Sequence, residues 1–277
     1  MSIIQRMKTE INPLMKTPEN KRAAIDMRKT INTAVGQLNN TREKLNQVFM
    51  KVEKYLRDLQ TQSPDLHYPY ALNLLAKSFC RQAEAEMRPD VTKAFPYGQV
   101  AVLIMCRHPE FRRYLLARMF KFCPYLIPRW YVPKNDQERK SLLRRRQGED
   151  DEKYMERMST HVALFAAMLQ TTPIIPAFKN PLPIGLAWKW FAYVLNHPPQ
   201  PLMVFLIEKF LLIAGHAFLE AYGKQGQKIM HILVHEYSVK CGDSVRPVRS
   251  RWEGMWNPVQ QRWVIDVSSE RDPKVAV

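Results

Sequence analysis

The chain has 277 residues, with 42 Lys and Arg against 26 Asp and Glu and a formal charge of +16. Hydrophobic residues make up 46%, which excludes a disordered polymer and is enough for one large core or two smaller ones. The basic excess calls for an anionic partner, whether nucleic acid, an acidic protein surface, lipid headgroups or a polyphosphate, and charge alone does not choose among them.

The first twenty residues are mostly polar, carry Pro13 and Pro18, and read as a flexible basic lead-in. The start has no apolar run long enough for a signal peptide. From Lys21 to Gln60 the pattern is helical with an interruption near Gly36. In its second half Leu45, Val48, Phe49, Val52, Leu56 and Leu59 recur at three-and-four spacing, and Thr41 is placed to cap it. Further helices are expected at 69–87, 97–106 and 110–122, separated by His108-Pro109 and closed by Cys123-Pro124. Residues 129–150 form a long basic loop containing Arg139, Lys140, Arg144, Arg145 and Arg146, with a short helix inside it. Helical pattern resumes at 152–169, 186–195, 202–222 and 225–237.

The apolar run from Pro201 is broken by Glu208, Lys209 and His216, so it reads as a buried helix rather than one inserted in a membrane. Trp252, Trp256 and Trp263 look like anchors for a tail packed back onto the body. Alternating apolar-polar runs are missing, so the fold class is all-α. Helices joined at proline corners suit a HEAT-repeat-like stack of helical pairs, with a compact irregular bundle as the alternative. Residues 21–277 read as one such domain.

Catalytic signatures do not emerge. There is no G-x-S-x-G elbow, H-E-x-x-H helix or phosphate-binding glycine loop. His231 and His235 share a helix face but make an incomplete metal site. Cys123 sits at a helix carboxyl end, where the thiolate is disfavoured. The four cysteines form no CxxC pair, which fits a reducing compartment. Asp150 and Asp151 suit helix capping rather than paired acid catalysis. The chain reads as a non-enzyme. Its basic residues are the better lead. Lys77, Arg118, Lys121, Lys153, Arg157 and Lys189 are spread over four expected helices, and several such cations meeting at one place would hold a ligand rich in phosphates. Spacing does not establish that they meet. The loop cations with Trp130 and Tyr131 nearby leave a second reading open, in which the chain is a helical scaffold module binding RNA or translation factors directly.

Several passages resemble the C-terminal domain of the GLE family of nuclear-pore-associated mRNA export mediators. They are RKTINTAVGQLNNTREKLNQV from Arg28, HPEFRRYLLARMFKFCPYLIP from His108, YMERMSTHVALFAAMLQT from Tyr154 and IGLAWKWFAYVLNHPP from Ile184, with GKQGQKIMHILVHEY following. The resemblance implies a fold similar to the middle domain of translation-initiation scaffolds. It also implies a regulatory activator that binds a DEAD-box RNA helicase and stimulates its ATPase cycle at the cytoplasmic face of the nuclear pore complex, with movement between nucleus and cytoplasm. Inositol hexakisphosphate is the implied bridging ligand, held by Lys77, Lys121 and Lys189, with Lys153 and Arg157 as further contacts. Phe122 stands where many members place a lysine, so Arg118 is expected to supply that contact. A small FG nucleoporin is a further implied partner, with Phe205, Phe218, Tyr222, Trp252 and Trp256 as candidate docking residues; translation initiation or termination factors are others.

Overall fold

The computed structural model describes residues 2–127 and 134–274, with Arg139 described by its backbone only. In chain order the helices are α1 (Ile3–Arg6), α2 (Asn12–Leu14), α3 (Pro18–Val35), α4 (Arg42–Gln62), α5 (His67–Glu86), α6 (Ala94–Arg107), α7 (Glu110–Phe122), α8 (Asp136–Leu142), α9 (Asp151–Gln170), α10 (Gly185–Leu195), α11 (Pro201–Ile232), α12 (Ser238–Lys240) and α13 (Arg246–Glu253). Two short strands, β1 (Trp256–Asn257) and β2 (Arg262–Trp263), pair antiparallel. The fold is all-α, as the patterning requires.

Local chemistry sets the helix ends. The Thr41 hydroxyl accepts from the Lys44 amide at 3.3 Å, and the Asp150 carboxylate accepts from the Lys153 amide at 2.8 Å; both satisfy donors that have no partner within the helix. Pro18 and Pro201 occupy first-turn positions where no amide hydrogen is needed. His108-Pro109 and Cys123-Pro124 delimit α7 at the two proline corners.

Two layers result. In one, α5 lies between α3 and α7; in the other, α4 packs on α6, α6 on α9, and α9 on α11. This pairing of successive helices across two layers has the HEAT character expected. α6 and α9 are buried over most of their lengths. They approach closely because Gly98 faces Ala167: a Cβ at Gly98 would lie 2.8 Å from the Ala167 Cβ. Residues 201–240 are long and apolar enough to cross a membrane by length and composition; here the face carrying Met203, Leu206, Ile207 and Phe210 is buried, and α11 packs along α9.

Two features differ from the sequence reading, and one expected break is found. The lead-in is helical: a π turn, Met7–Ile11, joins α1 to α2, and Met7, Ile11 and Met15 are buried. Their spacing of four places them on one stripe, which the polar residues between them obscured. The helices expected at 202–222 and 225–237 are found on either side of Gly223, whose φ of 45° and ψ of −121° are non-helical and break the run Pro201–Ile232; the second continues into a π turn at Leu233–Tyr237. That left-handed region is open to glycine without a Cβ clash. In the Trp-bearing tail, Trp252 is buried on α13, and the hairpin that follows buries Trp263 but leaves Trp256 43% exposed.

The last described segment returns to the start of α4. The Lys274 amide donates to the Asn40 carbonyl and the Arg42 amide to the Lys274 carbonyl, each at 2.9 Å. The Asn40 side chain donates to the Glu270 carbonyl at 2.7 Å.

Candidate polyanion-binding recess

The centre of the site lies between α5 and α7. Lys77 is half-buried on α5, where every other residue from Tyr68 to Cys80 is buried, and exposed Arg81 follows one turn later. Arg118 and Lys121 are three apart on α7 and share its face. Arg118 is buried and donates through Nε to the Asn73 Oδ1 at 2.7 Å, with Nη2 on the same oxygen. Asn73 therefore fixes the guanidinium from below without neutralising it.

Lys77 is held down at about 8, first by burial and then by the charges of Arg118, Arg81, Lys121 and Arg28. Lys121 is also lowered, by burial and then by Arg118, Lys8 and Arg144. A lysine shifted by its neighbours' charge lies within their field, so Lys77 stands in the field of cations on α3, α5 and α7, and Lys121 in that of cations on α7, the π turn and the basic loop. Among the described residues, none of Lys8, Arg28, Lys77, Arg81, Arg118, Lys121 and Arg144 meets a carboxylate within ion-pair distance. Like charges gathered without counter-ions raise the free energy of the folded chain. They suit a multivalent anion, whose binding removes that repulsion.

The recess thus unites Lys77, Arg118 and Lys121 from the sequence-predicted set. Three others stand apart. Arg157 is buried and engaged by Glu149, donating through Nε to Oε1 and through Nη2 to Oε2, both at 2.6 Å; burial opposes its charge, yet Glu149 holds its pKa above the ordinary value. Lys153 turns back to Asp150 at 2.9 Å on an exposed surface. Lys189 is exposed on α10 and is not among the charges that lower Lys77 and Lys121. The flanking tryptophans explain this: Trp190 turns inward, donating to the Tyr125 carbonyl at 2.9 Å, which directs Lys189 outward.

Lys8, Arg28, Arg81 and Arg144 were missed. Arg81 was legible, being four residues after Lys77. Lys8 was hidden by reading its segment as a tail, and Arg144 by reading the loop as one basic mass. That loop is internally tied: Arg145 pairs with Asp151 and lies 4.5 Å above the Tyr154 ring, and Arg146 pairs with Glu84. Trp130 and Tyr131 lie outside the described residues, as does the Arg139 side chain.

The candidate docking residues also divide. Phe218 and Trp252 are fully buried; Phe218 stacks among Phe191, Phe210 and Tyr222, so neither offers a surface. Tyr222 is half-buried against Trp188. Phe205 and Trp256 keep exposed area.

A convergent set of reacting groups does not form among the described residues. Cys80 and Cys123 are fully buried with thiols pushed up, Cys123 to about 12, and no group of His, Cys, Asp and Glu has the arrangement of a metal site.

The sequence profile of the GLE1-like protein family matches residues 2–234. The chain belongs to the GLE1-like family. Among curated relatives, the mRNA export factor GLE1 of Saccharomyces cerevisiae is 27% identical over 245 residues, covering 83% of this chain and 45% of the relative. The Schizosaccharomyces pombe protein of that name is 26% identical over 245 residues, covering 83% and 49%, and the Danio rerio one 27% over 243 residues, covering 80% and 35%. The chain spans half the length of these relatives or less. Saccharomyces cerevisiae Gle1, solved bound to the Dbp5 C-terminal domain and IP6, superposes with a TM-score of 0.84 and 25% identity over 93% of this chain and 90% of that one. A second such complex superposes equally well.

Proposed function

We propose that this chain is the helicase-docking domain of an mRNA export factor, that it takes inositol hexakisphosphate in the α5–α7 recess, and that it stimulates the ATPase cycle of a DEAD-box RNA helicase without supplying a catalytic atom. The observation that carries this reading is the group of cations around Lys77, desolvated, mutually repelling and without carboxylate partners. The likeness to a yeast chain solved with the Dbp5 C-terminal domain and IP6 supports the same ligand and partner class.

Within the recess, Asn73 orients Arg118, and Lys77 and Arg118 form a partly desolvated floor where charge-assisted hydrogen bonds are strong. Lys8, Arg28, Arg81, Lys121 and Arg144 make an exposed rim that steers anions inward. Inositol hexakisphosphate, when bound, supplies phosphates enough to neutralise this side and to present negative charge outward to a basic helicase surface. Stimulation then needs only a difference in the domain's affinity between helicase conformations, favouring the product-releasing one. The setting is the cytoplasmic face of the nuclear pore, in exchange with nucleus and cytoplasm. Phe205 and Trp256 are the proposed residues for contact with a small FG nucleoporin, and translation initiation or termination factors are further proposed partners.

The test is helicase ATPase at fixed RNA, titrated with the domain, with and without inositol hexakisphosphate, beside a Lys77→Met/Lys121→Met variant. Stimulation that depends on the ligand and is lost in the variant supports the reading. No stimulation across the titration overturns it, and tight RNA binding by the domain alone, falling steeply with salt, would favour a direct RNA-binding module instead.

A further inference from the structure

Arg144 is not held like its neighbours. Arg145 and Arg146 are each paired to a carboxylate, whereas the Arg144 side chain has no counter-ion among the described residues and lies within the field of Lys121. Its backbone is left-handed, at φ 59°, a conformation that residues with a Cβ seldom adopt without support. The support is visible. The Arg157 Nη2 donates to the Arg144 carbonyl at 2.9 Å. The same guanidinium clasps both oxygens of Glu149, and Glu149 Oε2 also accepts from the Arg146 amide at 3.0 Å. Glu149 and Arg157 are 7% and 1% exposed, so the clasp is buried and competes little with water. A carboxylate that binds a guanidinium and a loop amide together, while that guanidinium holds the next turn's carbonyl, fixes the backbone on both sides of Arg145.

We propose that the Glu149–Arg157 clasp is a positioning device for polyphosphate recognition: it holds residues 144–149 so that the Arg144 guanidinium stands at the rim of the recess as a preset arm, and neither clasp residue touches the ligand. This rests on the proposed recess. The clasp explains why Arg157, a cation on the helix next to the site, is itself withheld from it. It also explains the order of the loop, in which one arginine is left facing the other cations and the next two are tied down. Preorganisation is the physical gain, since a phosphate contact made by an already ordered side chain loses less conformational entropy on binding.

Calorimetric titration of the chain with inositol hexakisphosphate tests this through a double-mutant cycle. Arg144→Ala is expected to weaken binding roughly twofold to fivefold, the range for one exposed charge contact. Glu149→Gln is expected to weaken it by a similar factor, and the double variant to bind no more weakly than Arg144→Ala alone. Glu149→Asp keeps a counter-ion for Arg157 but is too short to reach the guanidinium and the Arg146 amide together. It serves where the Gln variant does not fold, and the same loss is expected, again absent beside Arg144→Ala. Additive losses, or wild-type affinity in both Glu149 variants, overturn the positioning role. A failure of the unaltered chain to bind at all would instead overturn the recess.

Discussion

Lys77 makes the recess a proton-linked site. In the free chain its pKa is held near about 8 by burial and by Arg118, Arg81, Lys121 and Arg28. A bound polyphosphate reverses the local field and returns the ammonium to its ordinary range near 10.5 or above. Between the two values binding takes up a proton, so affinity is highest at low pH and falls as pH rises through the free-state value. Integrating one proton from about pH 7 to about pH 9.5 gives a loss of roughly ten- to thirtyfold, with little change below about pH 7. The ligand's own phosphates titrate too, so the quantity to measure is the difference between wild type and Lys77→Met. Calorimetry at several pH values, in buffers of different ionisation enthalpy, reads affinity and proton uptake together. Parallel pH profiles for the two proteins, with equal proton uptake at about pH 8.5, would refute the reasoning.

Other expectations follow from the packing and the buried charges. Asn73→Leu removes the acceptor beneath buried Arg118 and is expected to cost about 1.5–3 kcal/mol in urea unfolding, while weakening polyphosphate binding; unchanged stability would show that Asn73 does not hold the guanidinium. Gly98→Val should cost at least about 1–3 kcal/mol, because the first added carbon already meets Ala167 at 2.8 Å; its melting temperature is the readout. Stability should decline on acidification. Burial lowers the His161 pKa from its ordinary 6.5 despite Glu84, so the unfolded chain binds the extra proton below that value. Glu84 and Glu149, lowered by their ion pairs, add further loss as pH falls through the carboxylate range. A melting temperature flat from neutral pH to about pH 4 would contradict this. With a maleimide at neutral pH, native protein is expected to label at Cys106 and Cys241 before Cys80 and Cys123, which are buried with raised thiols.

Helix positions were legible where apolar spacing and proline corners agreed. α7 falls where Pro109 and Pro124 bracket it, and Thr41 caps α4 as its hydroxyl chemistry suggested. The lead-in was misread because its three buried residues, Met7, Ile11 and Met15, form too sparse a stripe to stand out among polar neighbours. The short hairpin escaped notice because two residues per strand leave no alternation to detect. Of the candidate cations, the fold brings Lys77, Arg118 and Lys121 within one another's field. Arg157 illustrates the limit. As a letter it is another cation, and only the position of Glu149, eight residues earlier in the chain and adjacent in space, reveals it as internally neutralised.

The junction between residues 40–42 and 270–274 changes what kind of object this stack is. A linear array whose units touch only their neighbours can melt from either side, one unit at a time. Here a backbone bridge and an amide contact spanning 230 residues close the circuit, so peeling away the tail also uncovers the first turn of α4. Fraying of the tail is thereby tied to the start of α4, and loss of order there reaches the α4–α6 packing rather than stopping at the last helix.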